Sequence, residues 1–94
     1  MYALHVTFTT DLPDDALRPA QRAFAERLAA VPGFRSKTWL RDGPVHGAFY
    51  LFTTAADAQA YLDGPLFGGL RGFPDLTIRG YAVDTELGAL NGCR

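Results

Sequence analysis

The chain has little charge, a single cysteine and no long apolar run. Its nine basic and ten acidic side chains nearly cancel, to a formal net charge of -1, so it lacks the basic surface that binding to a phosphate backbone requires. We therefore expect no nucleic acid partner. The one cysteine, Cys93, has no partner for an internal disulfide, and we expect an unreactive thiol.

Signals that direct a chain into or through a membrane are missing as well. Nothing before the first predicted strand resembles a signal peptide, and no apolar run approaches the roughly 20 residues that cross a bilayer. The sequence therefore favours a cytoplasmic protein without a membrane partner, in which a lone thiol stays reduced.

Apolar residues are plentiful in spite of these absences. Hydrophobic residues make up 48% of the 94 positions and aromatic residues 13%, well above the composition of a disordered chain. A lone domain of this length buries only about 60 to 65% of its unfolded surface. We therefore expect one folded domain over residues 1–94, with part of its apolar surface facing a second copy.

Hydrophobic periodicity predicts four strands. Alternation of apolar and polar residues predicts strands over 2–8, 34–41 and 76–83, and a nearly continuous apolar run predicts a central strand over 47–53. Turn residues between the second and third strands predict a hairpin there.

Helical spacing predicts two helices between these strands. The first covers about residues 14–31, although Pro19 leaves open a later start. The second lies between Thr54, its expected N-cap, and the Gly64-Pro65 pair. The order βαββαβ, with right-handed crossovers, predicts a ferredoxin-like α+β fold: a four-stranded antiparallel sheet with both helices on one face. The other face would expose apolar residues, so we expect two copies to close face to face as a homodimer.

Short segments in a fixed order add a family resemblance. They are spread over about Leu4 to Leu90 and comprise Leu4-His5-Val6, Ala25-Glu26, Pro32-Gly33-Phe34, Lys37 with Trp39, Tyr50-Leu51-Phe52-Thr53 and Ala60-Tyr61-Leu62. In their order and spacing they resemble the YdhR-type family of proposed monooxygenases, a branch of the dimeric α+β barrel superfamily. That superfamily includes antibiotic-biosynthesis monooxygenases that oxidise aromatic polyketides or quinols without metal or flavin. The resemblance implies a homodimeric barrel with a pocket in each subunit, and oxygenase chemistry.

His5 is the first candidate for catalysis. It lies in the middle of the first strand, on the less apolar face, and an imidazole can accept a proton near neutral pH. His5 is therefore either a general base or a structural histidine that forms a hydrogen bond across the sheet.

Lys37 and Trp39 form the second candidate. Alternation places both, with Arg41, on one face of the second strand and Phe34 on the other. A lysine beside an indole makes a cation-π contact and, if it is desolvated, its pKa falls far enough for it to bind or polarise an enolate. The alternative is a lysine that extends over an interfacial tryptophan at the dimer seam.

Tyrosines on the central strand and on the helix that follows it are further candidates. Tyr50 and Tyr61 either orient a substrate oxygen or belong to the core, with hydroxyl groups that reach solvent or a backbone carbonyl. Residues 64–74 form either a lid, in which Phe67 contacts the substrate, or a fixed connection packed over the sheet.

Signatures of metals and cofactors are missing. His5 and His46 stand on separate elements with no carboxylate spaced to join them, which argues against a metal site, and we expect His46 to lie exposed in the hairpin turn. No predicted helix carries a histidine that would ligate a haem, and no dinucleotide fingerprint is present. We therefore expect no cofactor.

Together with these residues, the family resemblance implies a cofactor-independent monooxygenase that oxidises a small aromatic or enolisable compound with dioxygen. His5 or Lys37 would remove a phenolic proton, and Trp39, Tyr50, Tyr61 and Phe67 would contact the ring. Two alternatives use the same apolar pocket. One is a non-enzymatic dimer that binds a small molecule, and the other is an isomerase or lyase that needs an acid and a base but no oxygen.

Overall fold

The computed structural model describes residues 1–92, so Cys93 lies outside the described residues. In chain order the elements are β1 (Tyr2–Thr9), α1 (Asp14–Leu28), β2 (Phe34–Asp42), β3 (Val45–Phe52), α2 (Ala55–Asp63), α3 (Pro65–Gly68), β4 (Thr77–Ala82) and α4 (Thr85–Leu90). The strands form one sheet in the order β2-β3-β1-β4, with every neighbouring pair antiparallel. The predicted ferredoxin-like α+β fold is confirmed.

The core lies between one face of this sheet and the helices α1, α2 and α3. Alternate residues of β1 and β3 point into it because side chains on a strand alternate between the two faces. The fully buried side chains that form it are Leu4, Val6, Leu28, Tyr50, Phe52 and Phe67. Burying an aliphatic or aromatic side chain of this size contributes about 1.5–3 kcal/mol, so this layer supplies most of the stability of the fold.

Helix α1 begins at Asp14 rather than at Pro19. Asp14 and Asp15 occupy the first turn, where carboxylates interact favourably with the helix dipole. Pro19 removes one backbone hydrogen bond, and the helix continues through it. The helix ends at Leu28, three residues before the predicted end, because the chain turns there toward Gly33, which has a φ of 77°.

The start of α2 follows the predicted cap. The side chain of Thr54 accepts a hydrogen bond from the backbone N–H of Asp57 at 3.1 Å. The Thr54 hydroxyl in turn donates to the Asp57 carboxylate at 2.9 Å. This reciprocal pair satisfies one of the free N–H groups at the helix start, and the prediction is confirmed.

A bulge in β2 overturns the predicted orientation of Phe34. Phe34 pairs with Phe52 and Ser36 pairs with Leu51, so one extra residue is inserted between them. Phe34 therefore turns to the helix face, where its ring meets Phe52 edge-on at a centroid distance of 6.1 Å. From Lys37 onward the strand alternates as predicted.

The sheet face opposite the helices is uncovered within one chain. Phe49 and Tyr81 lie on this open face with 49% and 46% of their surface exposed. Helix α4 buries none of its residues, and Leu87 and Leu90 on it are also exposed. Among residues 1–92, none of the helices has the length and hydropathy that a bilayer crossing requires.

Candidate active site

A cavity of about 640 Å³ lies between helix α1 and the helix face of the sheet. Strands β1, β2 and β3 form its floor, α1 forms one wall, and residues 66–73 close it from the side of α3. Its volume falls within the range of pockets that hold small organic molecules. The residues of β2 and β3 that face the helices line the cavity along its length. Their side chains differ in chemistry between its two ends.

At the first end, aromatic rings surround the side chain of Lys37. Its Nζ atom lies 3.4 Å from the centroid of the Trp39 ring, 4.5 Å from that of Phe24 and 4.8 Å from that of Tyr50. Tyr50 is the cross-strand partner of Lys37 in the β2–β3 register, and Phe24 comes from α1. The three rings form a cage around a single amine.

Burial in this cage lowers the pKa of Lys37 to about 7. Removing an ammonium group from water penalises its charged form, and no carboxylate within residues 1–92 lies at ion-pair distance from Lys37 to offset that penalty. Attraction to the ring faces offsets part of it. The site therefore holds an amine that exists in both protonation states near neutral pH.

A pair of tyrosine hydroxyls lies beside the cage. The Tyr61 hydroxyl donates a hydrogen bond to the Tyr50 hydroxyl at 2.9 Å. Burial raises the pKa of Tyr50 to about 12 and raises the pKa of Tyr61 further, so both are neutral phenols at physiological pH. Tyr50 lines the cavity, and since its oxygen accepts from Tyr61, its own proton is available to a ligand.

The second end of the cavity is polar. Arg41 donates a hydrogen bond to Asp14, which joins β2 to the first turn of α1. His46 is the cross-strand partner of Arg41 and stacks on Phe8 at a centroid distance of 5.9 Å. This end therefore carries an ion pair and an imidazole, whereas the first end carries one amine among rings.

The position of His46 corrects the sequence prediction. Strand β3 begins at Val45, two residues earlier than predicted, because Gly43, with a φ of 58°, completes the turn. His46 is therefore a strand residue on the helix face, only 7% exposed, rather than an exposed turn residue. The sequence did not point to Phe24 or Arg41 as cavity residues. The helical spacing of Phe24 in α1 and the alternation of Arg41 with Trp39 in β2 were the available signals.

His5 lies on the opposite face of the sheet from Lys37. It pairs with Phe49 in the β1–β3 register and stacks on that ring at a centroid distance of 4.5 Å. Phe49 precedes Tyr50, and consecutive strand residues point to opposite faces. The two candidate bases are therefore not brought together within one chain.

Trp39 marks the mouth of the cavity. It lies on an edge strand, is 45% exposed and meets Phe24 edge-on at a centroid distance of 6.3 Å. Together with Lys37 it faces helix α1 and not the open face of the sheet. Both residues line the cavity within one chain.

Tyr61 and Phe67 belong to the core behind the cavity. Phe67 is completely buried and packs edge-on against Tyr61 at a centroid distance of 5.3 Å. Neither lines the main cavity, although Tyr61 borders a smaller one of about 310 Å³ on the far side. Tyr61 and Phe67 are therefore not positioned to contact a ligand in the main cavity. Leu66, Leu70 and Phe73 line it instead.

Metal-binding side chains are not gathered in this part of the molecule. Within residues 1–92, no group of three or more His, Cys, Asp and Glu side chains has the spacing to hold a metal ion. The ionisable groups that line the cavity are one amine, one phenol, one imidazole, guanidinium groups and the carboxylate of Asp14.

Solved structures of other proteins share this fold. SnoaB from Streptomyces nogalater, described as a cofactor-independent oxygenase, is 17% identical, with a TM-score of 0.71 and coverage of 88% of this chain and 92% of that one. A Deinococcus radiodurans protein described as a "putative antibiotic biosynthesis monooxygenase" is 14% identical, with a TM-score of 0.64 and coverage of 89% and 93%. The fold is thus that of the antibiotic-biosynthesis monooxygenases.

The chain itself belongs to the YdhR family. Residues 3–93 match the family described as "Putative mono-oxygenase ydhR", which confirms the resemblance seen in the sequence. NE2512, a protein of unknown function from Nitrosomonas europaea, is 26% identical, with a TM-score of 0.66 and coverage of 88% of this chain and 91% of that one. No curated protein is significantly similar to the chain in sequence.

Proposed function

We propose that the protein is a cofactor-independent monooxygenase that oxidises a small aromatic or enolisable compound with dioxygen. The observation that carries this proposal is the Lys37 amine, caged by Trp39, Phe24 and Tyr50 in a cavity of substrate size, with a pKa of about 7. A general base works best when its pKa lies near the working pH. Membership of the YdhR family and the fold shared with SnoaB support the same reaction class.

Neutral Lys37 would remove a proton from a phenol or from an activated CH₂ group of the substrate. The resulting anion is electron-rich enough to reduce dioxygen itself, and recombination of the two radicals forms a carbon–oxygen bond. The Lys37 ammonium then returns its proton to the peroxide. The oxygenated carbon gives up its remaining hydrogen as the O–O bond breaks, so that water leaves and a carbonyl group remains. One oxygen atom ends in the product and the other in water.

The other residues of the cavity would orient the substrate and exclude water. Trp39 and Phe24 present ring faces and edges against which an aromatic substrate stacks. The Tyr50 hydroxyl would donate to the oxygen on which negative charge develops after deprotonation, because Tyr61 already occupies its acceptor side. His5 plays no part in this cavity, since it lies on the other face of the sheet.

A panel of hydroquinones and anthrones, incubated with and without oxygen, tests this proposal. We expect oxygen uptake and a quinone or ketone product that depend on the protein and disappear in the Lys37→Met variant. Arg35→Met removes an exposed cation that lines neither cavity and serves as the matched control. Identical products with and without oxygen would contradict the oxygenase and favour an isomerase that uses Lys37 as base and Tyr50 as acid.

We propose further that two copies pair through the open face of the sheet. The exposed rings of Phe49 and Tyr81 on this face form an apolar surface of the kind that a second sheet covers. Sedimentation of the wild-type chain and of Phe49→Asp tests this. We expect a dimer for the first and a monomer for the second, and a wild-type monomer at micromolar concentration would contradict the proposal.

A further inference from the structure

The cavity carries a positive charge that the chain as a whole does not have. The chain has a formal net charge of -1, but Arg18, Arg22 and Arg41 all line the cavity, whereas Asp14 is its single carboxylate. Side chains of one sign around an apolar cleft concentrate their field inside it. Such a cleft favours a ligand of the opposite charge.

One of the three arginines is already neutralised. The Arg41 guanidinium, which donates to Asp14, holds the pKa of that carboxyl below its usual range, so Asp14 is an anion at neutral pH. Arg18 and Arg22 differ from Arg41, because within residues 1–92 neither lies at ion-pair distance from a carboxylate. Both side chains are exposed, so their hydrogen-bond donors face solvent at the cavity wall and are open to a ligand.

Arg18 and Arg22 stand one turn apart on α1. Residues four apart on a helix share a face, so Asp14, Arg18 and Arg22 follow one another along the side of α1 that borders the cavity. Two adjacent guanidinium forks are suited to the two oxygens of a carboxylate. The row begins beside Arg41, which donates to Asp14, and Arg22 lies about two turns further along α1, just before Phe24 of the Lys37 cage.

The distance between the two ends limits the ligand. Lys37 and Arg41 are four residues apart on β2, which places their Cα atoms roughly 13 Å apart at the rise of a strand. Trp39 lies between them on the same face. A ligand with an ionisable hydroxyl at one end, fused rings over Trp39 and an anion at the other end matches this order.

We propose that the cavity binds aromatic carboxylates, with the carboxylate held by Arg18 and Arg22 on α1 and the reacting end of the ring system at Lys37. This inference rests on the active site proposed above and adds the charge of its substrate. It assigns Arg18 and Arg22 to specificity and leaves the chemistry to Lys37.

Calorimetric titration with 6-hydroxy-2-naphthoate and with its neutral amide tests the proposal. The two probes share the same rings and hydroxyl group and differ only in charge. Titrations run without oxygen at pH 8, above the Lys37 pKa of about 7, so that the amine contributes little charge. We expect the acid to bind at least about tenfold more tightly than the amide, since hydrogen bonds to a charged group contribute that much to affinity. Added salt should weaken the binding of the acid and leave the binding of the amide unchanged.

Variants then assign the preference to the two arginines. In Arg18→Gln combined with Arg22→Gln, the affinity ratio between acid and amide should fall to near one while the amide binds as before. Arg35→Gln, outside both cavities, should keep the ratio, and thermal melting of each variant shows that it is folded. Equal affinities for acid and amide in the wild type, no binding of the acid, or the same loss in Arg35→Gln would each overturn the proposal.

The outcome is separable from that of the oxygenase assay. If the acid preference is present and no oxygen is consumed with any substrate, the oxygenase proposal fails and the anion site stands. If oxygen is consumed with neutral substrates and the two probes bind equally, the anion site fails and the oxygenase stands.

Discussion

The Nζ atom of Lys37 lies 3.4 Å from the centroid of the Trp39 ring, in a cavity wall where no carboxylate of residues 1–92 pairs with it. A buried lysine without a counter-ion is costly in its charged form, and ring faces recover only part of the lost hydration. The fold therefore maintains an amine with a lowered pKa at the place where a substrate would bind. Several measurable consequences depend on this one contact.

The rate of oxidation should rise with pH through the pKa of Lys37. Below pH 7 the amine is protonated and cannot accept a proton, so kcat/KM should increase about tenfold per pH unit there and level off above the pKa of about 7. Lys37→Arg keeps the charge and removes the base, and its rate should stay low at every pH. A rate profile that is flat from pH 5 to pH 9 would contradict the role of Lys37.

The stability of the fold should depend on pH through the same group. Unfolded Lys37 binds a proton up to its ordinary pKa of 10.5, whereas the folded protein releases it at about 7. Between these values the unfolded state holds more protons, so this group makes the folded state more stable as pH rises. The stability advantage of Lys37→Met over the wild type should be largest at pH 6 and shrink by pH 9, as measured by urea unfolding.

The comparison by urea unfolding needs a control variant that keeps the Lys37 amine. Trp39→Leu removes the ring above Nζ but keeps Lys37, so its stability should retain a rise with pH. If the gap between Lys37→Met and the wild type were the same at both pH values, the lysine would be charged in the fold throughout.

The two buried tyrosines should respond differently to loss of their hydroxyl groups. Tyr50→Phe leaves the Tyr61 donor buried without a partner, which costs about 1–3 kcal/mol, and it removes the proposed donor to the substrate. Tyr61→Phe removes a hydrogen bond worth about 1 kcal/mol but leaves the Tyr50 hydroxyl in the cavity. The unfolding temperature and kcat should both fall in Tyr50→Phe. In Tyr61→Phe mainly the unfolding temperature should fall. Equal losses of kcat would argue against a direct role for Tyr50.

Replacement of His5 should affect association rather than catalysis. His5 stacks on Phe49 on the open face, where a second copy is proposed to bind. His5→Leu should therefore change the dissociation constant of the dimer and leave kcat/KM per folded dimer close to that of the wild type. A large fall in kcat/KM in a His5→Leu variant that remains dimeric would contradict this and indicate a catalytic role for His5.

Local patterns were sufficient for the fold and for part of the site. Alternation along β2 predicted that Lys37 and Trp39 share a face, and the Thr54 cap was readable from residue types three apart. Both are short-range properties, since the direction of a side chain follows from the period of its own element. The bulge that turned Phe34 around was not readable, because it depends on how β2 pairs with β3.

Sequence patterns alone therefore established the α+β architecture, the family and, apart from Phe34, which residues share a strand face. Only the tertiary structure decided which faces meet. It placed Lys37 with Phe24 from α1, moved His46 into the cavity wall and separated His5 from both by the thickness of the sheet. The physical reason is that strand register and the docking of α1 are set by contacts between residues far apart in the chain, which no local period records.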